Sequence, residues 1–292
     1  ILGTGLDVGV DLEKSDKRDS YNVHLNNPRV WDSIYSAGVN LFDRSYTAYN
    51  YDEQSKGGSV FVGRKFGRNW SSSLSLLYVD YKIDYEDSTK VDEHYDKGSI
   101  IPVLSFNNTD SFYFPREGMK FKTSLEYAGA FGDSKFIKSN TSFSAYYGLE
   151  DLINYDLILR YKARLGYLND RGYLNINEKF YMGGVDTIRG FGSSSLSPRD
   201  AKNYRIGGMK MFANSIEASI PLIDSANMRL AFFYDYGMIG EGSFNEIKRS
   251  STGAAIEWLS PLGAIQFIFA KPLDDKPGDD KSTFEFNLGT TF

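Results

Sequence analysis

Few residues in this 292-residue sequence could do covalent chemistry. There is no cysteine, which removes thiolate nucleophiles, disulfides and Cys-based zinc sites. Its two histidines, His24 and His94, fall in a predicted strand and a predicted external loop. Neither belongs to a Ser/Asp or carboxylate constellation of the kind hydrolysis requires. Gly183-Gly184 and Gly190-x-Gly192 are not a phosphate loop, because no Gly-Lys-Ser/Thr follows and no strand–helix frame surrounds them. Met182, Met209 and Met211 read as packing residues rather than metal ligands. The Asp/Glu/Lys run at 80–97 reads as a solvated external loop. What remains is one dense segment, Phe180–Phe191 (FYMGGVDTIRGF), in which paired glycines, aromatics and a single arginine, Arg189, crowd together. A long loop of that composition reads as ordered and functional. No catalytic residue, metal or cofactor is expected, and the chain reads as a non-enzyme.

The elements that must position this segment follow from period-two alternation. From Tyr155, one set of positions is Tyr155, Leu157, Leu159, Tyr161, Ala163 and Leu165. The other is Asp156, Ile158, Arg160, Lys162 and Arg164. Successive side chains point to opposite faces of a strand, so one face is apolar and the other cationic. The same pattern recurs from Leu77, Met119 and Met228. A soluble sandwich would also alternate, but with strands of about five or six residues. Here the segments run to about ten, and Tyr and Phe recur towards both ends of the apolar face, as in the aromatic girdles of membrane barrels.

Composition agrees. Tyr and Phe number 21 each and aromatics make up 15% of residues, which excludes disorder. A net charge of −5 argues against a nucleic-acid partner. No stretch approaches the ~18 apolar residues of a membrane helix. The negative mean hydropathy is compatible with a membrane barrel, whose strands are polar on alternate residues.

About fourteen strands are predicted, near 5–15, 19–30, 33–46, 54–67, 70–86, 98–109, 118–131, 134–149, 155–170, 207–222, 228–239, 250–260, 263–272 and 282–292. Short turns near Pro28–Ser33, Gly67–Trp70, Asp110–Gly118 and Ser260–Gly263 should face the periplasm. Tyr46–Glu53, Glu86–Gly98 and Arg171–Ile206 should face outside. Trp31, Trp70 and Trp258 all fall at the short turns, where an interfacial belt would place them; each could equally pack its own turn.

Phe180–Phe191 resembles the signature loop of the BamA family of outer-membrane barrel-assembly insertases, of the POTRA-barrel superfamily. Ile188, Arg189, Gly190 and Phe191 form its core. Asp110–Gly118 (DSFYFPREG) is similar to the family's YFP-x-x-G turn, and Leu230–Gly237 (LAFFYDYG) to its aromatic-rich D-x-G strand. Ser251–Gly263 (STGAAIEWLSPLG) resembles its penultimate hairpin and Thr283–Phe292 (TFEFNLGTTF) its terminal strand. Weaker matches at Leu2–Gly5 and Asn26–Pro28 extend the resemblance over the whole chain.

The resemblance implies an all-β fold, a transmembrane antiparallel β-barrel of sixteen strands. Residues 1–292 would supply about fourteen of them, so the family's first two strands and its POTRA domains would lie outside this portion. It also implies that loop 171–206 folds back into the lumen, where Arg189 pairs with the acidic wall residues matching Glu217 and Asp235. Alternation places both carboxylates on polar faces, with Ile216, Phe232 and Tyr234 opposite. Without the resemblance, an arginine in a solvated external loop would suit the sequence better. Phe284, Phe286, Leu288 and Phe292 share one face of the last strand and resemble the terminal signal of outer-membrane barrels, with Gly289 where the family's strand can kink.

By resemblance the chain sits in the bacterial outer membrane. It would insert client barrels through a lateral seam beside the last strand. Partners would be unfolded outer-membrane proteins, accessory lipoproteins, periplasmic chaperones and outer-membrane lipid. The rivals are a translocation-assembly or two-partner-secretion transporter of the same superfamily, a passive porin and a membrane-barrel hydrolase.

Overall fold

A computed structural model of the chain describes residues 5–15, 17–87, 89–261 and 263–289. The elements are β1 (Asp7–Lys14), β2 (Arg18–Asn27), β3 (Tyr35–Thr47), β4 (Tyr51–Phe66), β5 (Trp70–Tyr85), β6 (Glu93–Asn107) and β7 (Glu117–Gly132). They continue with β8 (Lys135–Gly148), α1 (Glu150–Ile153), β9 (Ile158–Tyr173), β10 (Lys210–Ile223), β11 (Met228–Gly240), β12 (Ile247–Ser260), β13 (Gly263–Pro272) and β14 (Phe284–Gly289). All fourteen strands join one antiparallel sheet in sequence order, with β1 and β14 at its ends.

Each predicted strand has its observed counterpart, with shifted limits. β6 starts at Glu93 rather than near 98, which shortens the predicted Glu86–Gly98 loop. Glu93, Tyr95, Lys97 and Ser99 all find polar partners, so a segment read as solvated is drawn into the ladder. β9 persists to Tyr173, so the long connection spans 174–209 rather than 171–206. β12 starts three residues earlier than predicted, at Ile247. In the last strand Phe284–Gly289 is described, whereas Phe292 lies outside the described residues.

Some turn chemistry escaped the periodic pattern. One helical turn, α1, ends on Asn154 at φ 53°, and a 3₁₀ turn at Asp224–Ala226 ends on Asn227 at φ 51°. Asparagine tolerates this left-handed region better than most residues. Trp31 sits at φ 50° in the β2–β3 connection and is 95% exposed. Trp70 opens β5 and is also exposed, whereas Trp258 is half-buried in β12, opposite Met228 and Ile265. All three lie in or beside connections from an even-numbered to an odd-numbered strand.

The chain divides into two compact units. The first comprises Ile1–Ser105, Thr123–Ser139 and Leu168–Glu178; the second comprises Phe106–Lys122, Asn140–Tyr167 and Lys179–Phe292. In the first, Tyr51, Ile83 and Tyr95 form a buried cluster joined by Tyr81, Tyr85 and Ile176. In the second, alternation governs the sheet: Arg229, Ala231, Phe233, Asp235 and Ile239 of β11 are buried, while Phe232 and Tyr234 are exposed. Exposed Leu159, Leu165 and Ile216 continue that apolar outer face. The buried face is covered by residues 179–209. This segment is tied to itself by bridges Phe180–Gly208, Met182–Leu196 and Gly184–Ile188. Met182, Ile188 and Phe191 are fully buried.

Two wall glycines admit the loop. The Phe180 ring lies over Gly166 of β9, where a Cβ would come within 2.7 Å of it. Ile188 fills the space over Gly237 of β11, where a Cβ would meet Ile188 Cδ1 at 2.5 Å. Overpacking of this kind costs about 1–3 kcal/mol. Gly237→Val is therefore expected to lower the urea midpoint and expose the loop to protease. Gly148→Ala, whose Cβ would find its nearest neighbour at 3.5 Å, should leave both unchanged.

Candidate functional site

The site is built where the 179–209 segment meets β10 and β11. β10 presents Ser215, Glu217 and Ser219 on its buried face, and β11 presents Phe233 and Asp235. Register sets Ser215 opposite Asp235 and Glu217 opposite Phe233. Arg189 enters between them. Its Nε donates to Asp235 Oδ2 at 2.8 Å and its Nη2 to Asp235 Oδ1 at 2.6 Å, a two-pronged fork. The Arg189 backbone N–H donates to the same Oδ2 at 3.0 Å. Nη2 also reaches Ser215 Oγ at 2.7 Å and Glu217 Oε1 at 2.9 Å. The guanidinium carbon lies 3.5 Å from the centroid of the Phe233 ring, a cation–π stack that Arg favours over Lys.

Glu217 is shared. Lys162 Nζ of β9 stands 3.1 Å from its Oε2, and Arg160 Nη1 3.6 Å away. Arg160 makes its own fork to Glu257 of β12, at 2.7 and 2.9 Å. Through Ser219 the network continues to Arg229, which grips Asp156 at 2.9 and 3.1 Å. Around Glu217, the buried Arg189 and Arg160 and the half-buried Lys162 face Asp235, Glu217 and Glu257, so the charges of the cluster cancel. Such pairs are costly to break singly, because the remaining partner is left buried and uncompensated. Beside the guanidinium opens a cavity of about 300 Å³ lined by Lys120, Tyr146, Lys162, Arg164 and Gln266, among others.

Arg189, Glu217 and Asp235, the trio implied by the family resemblance, are thus brought together. Ile188 and Phe191 flank the arginine and are fully buried. Gly190 adopts φ 89°, against Ala270 and Pro272 of β13, a conformation that glycine alone adopts without strain. Its N–H donates to Glu285 Oε1 of β14 at 2.9 Å. Phe284, Phe286 and Leu288 lie on the opposite, exposed face of β14, and Gly289 pairs with Ala264. Arg160, Lys162, Ser215, Glu257 and Glu285 were missed as members of the site. Alternation gives their face, but only the strand register brings them into contact.

The first unit holds a second buried charge cluster. Glu178, in the 3₁₀ turn Ile176–Glu178, accepts from Lys97 Nζ at 2.6 Å and lies 3.4 Å from Lys138 Nζ. Lys138 also donates to the Glu178 carbonyl at 2.6 Å. Asn175 donates to Glu93, and Tyr95 donates to Asn177. Burial works to raise the Glu178 carboxyl, but Lys97 and Lys138 outweigh it and hold it below its ordinary value of 4.5.

The whole chain has relatives. The Omp85 superfamily domain matches residues 1–292. The chain is 31% identical over 310 residues to the outer membrane protein assembly factor BamA of Nitratidesulfovibrio vulgaris, covering 100% of this chain and 39% of that protein. It is 25% identical over 322 residues to the factor of the same name from Neorickettsia risticii, covering 100% and 42%. It therefore spans about two fifths of the length of these relatives, 39% and 42%. The crystal structure of BamA from Haemophilus ducreyi lacking POTRA domains 1–3 superposes with a TM-score of 0.87 at 23% identity, covering 100% of this chain and 65% of that one. CdiB from Acinetobacter baumannii gives 0.68 at 14% identity, covering 97% and 53%. These likenesses give the fold, a transmembrane β-barrel.

Two outcomes are expected. Arg189→Ala leaves Asp235 and Glu217 buried against a lost partner and should cost about 3–5 kcal/mol of stability. This would be read as a lowered urea midpoint in detergent, with exposed Lys248→Ala unchanged. Separately, a carboxylate held low in the folded state stabilises above its unfolded value and loses that contribution as pH falls through its folded value. The fold should therefore weaken below about pH 4.5, the ordinary value from which Glu178 is depressed. In Glu178→Gln the urea midpoint should fall less between pH 7 and pH 3.

Proposed function

The chain belongs to the Omp85 superfamily, and from that premise we propose that it is the barrel portion of an outer-membrane insertase. In this reading it folds and inserts β-barrel proteins through a lateral seam beside β14. The observation that carries the reading is the Arg189 fork to Asp235, which fixes the 179–209 segment against the wall next to the last strands. A passive porin has no need to bury a guanidinium between two carboxylates.

The features of β14 support a seam. It ends the strand order, and among the described residues its only neighbour is β13, over six residue pairs. β3 and β4 pair over thirteen. An edge strand presents unpaired N–H and C=O groups, which in lipid cost several kcal/mol each. A client strand laid along that edge satisfies them, so insertion is lowered in barrier by backbone pairing, without bond-making and without a nucleotide. Clients are unfolded outer-membrane proteins; accessory lipoproteins, periplasmic chaperones and outer-membrane lipid complete the working environment. A translocation-assembly or two-partner-secretion transporter is the reading to separate from this one.

Because residues 1–292 contain no cysteine, a single thiol introduced among them is unique within this stretch. With the full-length protein in lipid vesicles and a mild added thiol oxidant, Leu288→Cys on β14 should form disulfides with a thiol in the terminal strand of an unfolded client barrel. Leu76→Cys, on the outward face of β5, should not. Equal capture at both positions, or capture of a secreted substrate but not of a client barrel, would overturn the insertase reading.

A further inference from the structure

The 179–209 segment is bonded to β14 through Glu285 and to the residues that lead into that strand. Phe191 and Lys281 form an antiparallel bridge. Gly192 N–H donates to the Asp280 carbonyl at 2.9 Å, and Ser282 N–H donates to the Gly190 carbonyl at 3.0 Å. One residue from Arg189, the Gly190 N–H is taken by Glu285 Oε1 at 2.9 Å. Glu285 is the carboxylate on β14, and it points to the loop side while Phe284 and Phe286 point away. The lead-in to β14 is held from the same side by Arg199, which donates to the Gly278 carbonyl at 3.2 Å. It is held from β12 by Arg249, which forks to Asp279 at 2.6 and 2.9 Å.

We propose that Glu285 is a positioning residue that couples the last strand to the arginine latch, so that β14 cannot leave β13 without loosening the loop at Gly190. The coupling rests on the seam reading above. Its physical basis is adjacency along the backbone. Residue 189 is clamped by Asp235 through its own N–H and side chain, and residue 190 is clamped by β14. A displacement of β14 therefore acts on a peptide unit joined directly to the buried guanidinium. In the other direction, an intact latch holds the start of β14 in register with β13, which fixes the position of the free edge that a client strand would join. Among the described residues β14 pairs with β13 over six positions, and the loop contacts add to what retains it.

The test is made on the full-length protein in planar bilayers, counting transient conductance openings. Removing an acceptor from a partly buried N–H in Glu285→Ala should raise the open-to-closed ratio about tenfold, a factor equivalent to about 1.4 kcal/mol. Glu285→Gln keeps an acceptor oxygen and should stay near the parent. Asn287→Ala, which removes a loop-side group bonded to Gln266 rather than to the loop, should also stay near the parent. If the Ala variant gates like the parent, or if Asn287→Ala opens as often, the coupling is wrong. Hydrogen exchange on the unsubstituted protein supplies a second measurement. A synthetic peptide of residues 283–292, added in excess, should deprotect the Gly190 and Ser282 amides; unchanged protection with the peptide bound would overturn the coupling. Increased openings with unaltered client insertion would support the coupling and count against the insertase reading itself.

Discussion

The structure of the second unit depends on one constraint: a guanidinium has been taken out of water and must be matched there. Arg189 satisfies this with a fork to Asp235, a contact to Glu217, a hydroxyl from Ser215 and the face of Phe233. Each partner then needs its own compensation. Glu217 alone would be a second buried charge, so Lys162 and Arg160 approach it; Arg160 in turn requires Glu257. The polar face of β9 to β12 is in this sense one connected response to a single arginine. Strand order matters because β9, β10, β11 and β12 each contribute one or two of these groups, and a change of register would separate cation from carboxylate.

The first unit meets the same problem with signs reversed. There the incoming segment brings an acid, Glu178, and the wall supplies the bases, Lys97 and Lys138. The long connection between β9 and β10 is thus anchored as a carboxylate among ammonium groups at its start and as a guanidinium among carboxylates further on. The two anchors respond differently to conditions. The group the segment itself brings to the second anchor, a guanidinium, stays charged at any accessible pH, whereas the one it brings to the first, a carboxylate, is neutralised by acid.

Much of this was legible in the sequence, for reasons specific to strands. Alternation is a local property, and it gave the face of Glu217, Asp235 and Arg160 before any partner was known. The run from Met228 to Gly240 could be read almost residue by residue. The start of β6 could not, because Glu93, Tyr95 and Lys97 look like a solvated charge run until residues 175–178, some eighty positions later, dock on them. Glu285 was hidden differently. Its exposed neighbours Phe284, Phe286 and Leu288 carry a strong pattern, whereas a single carboxylate between them gains meaning only once Gly190 is beside it. Contacts such as Arg160 to Glu257 depend on register across several strands, which periodicity does not encode.

The glycines beneath the loop have a wider consequence. Gly166 receives Phe180 and Gly237 receives Ile188, on strands separated by β10. A one-residue slip of β11 would replace the hollow at Gly237 with Tyr236 or Met238 and turn Asp235 towards lipid, while β9 still offered its own hollow correctly. The loop could then seat at one point or the other, never at both. Docking of the loop therefore acts as proofreading of the chain's own assembly: it completes only on a sheet whose strands have found their register, and it leaves a misaligned sheet marked by an undocked loop.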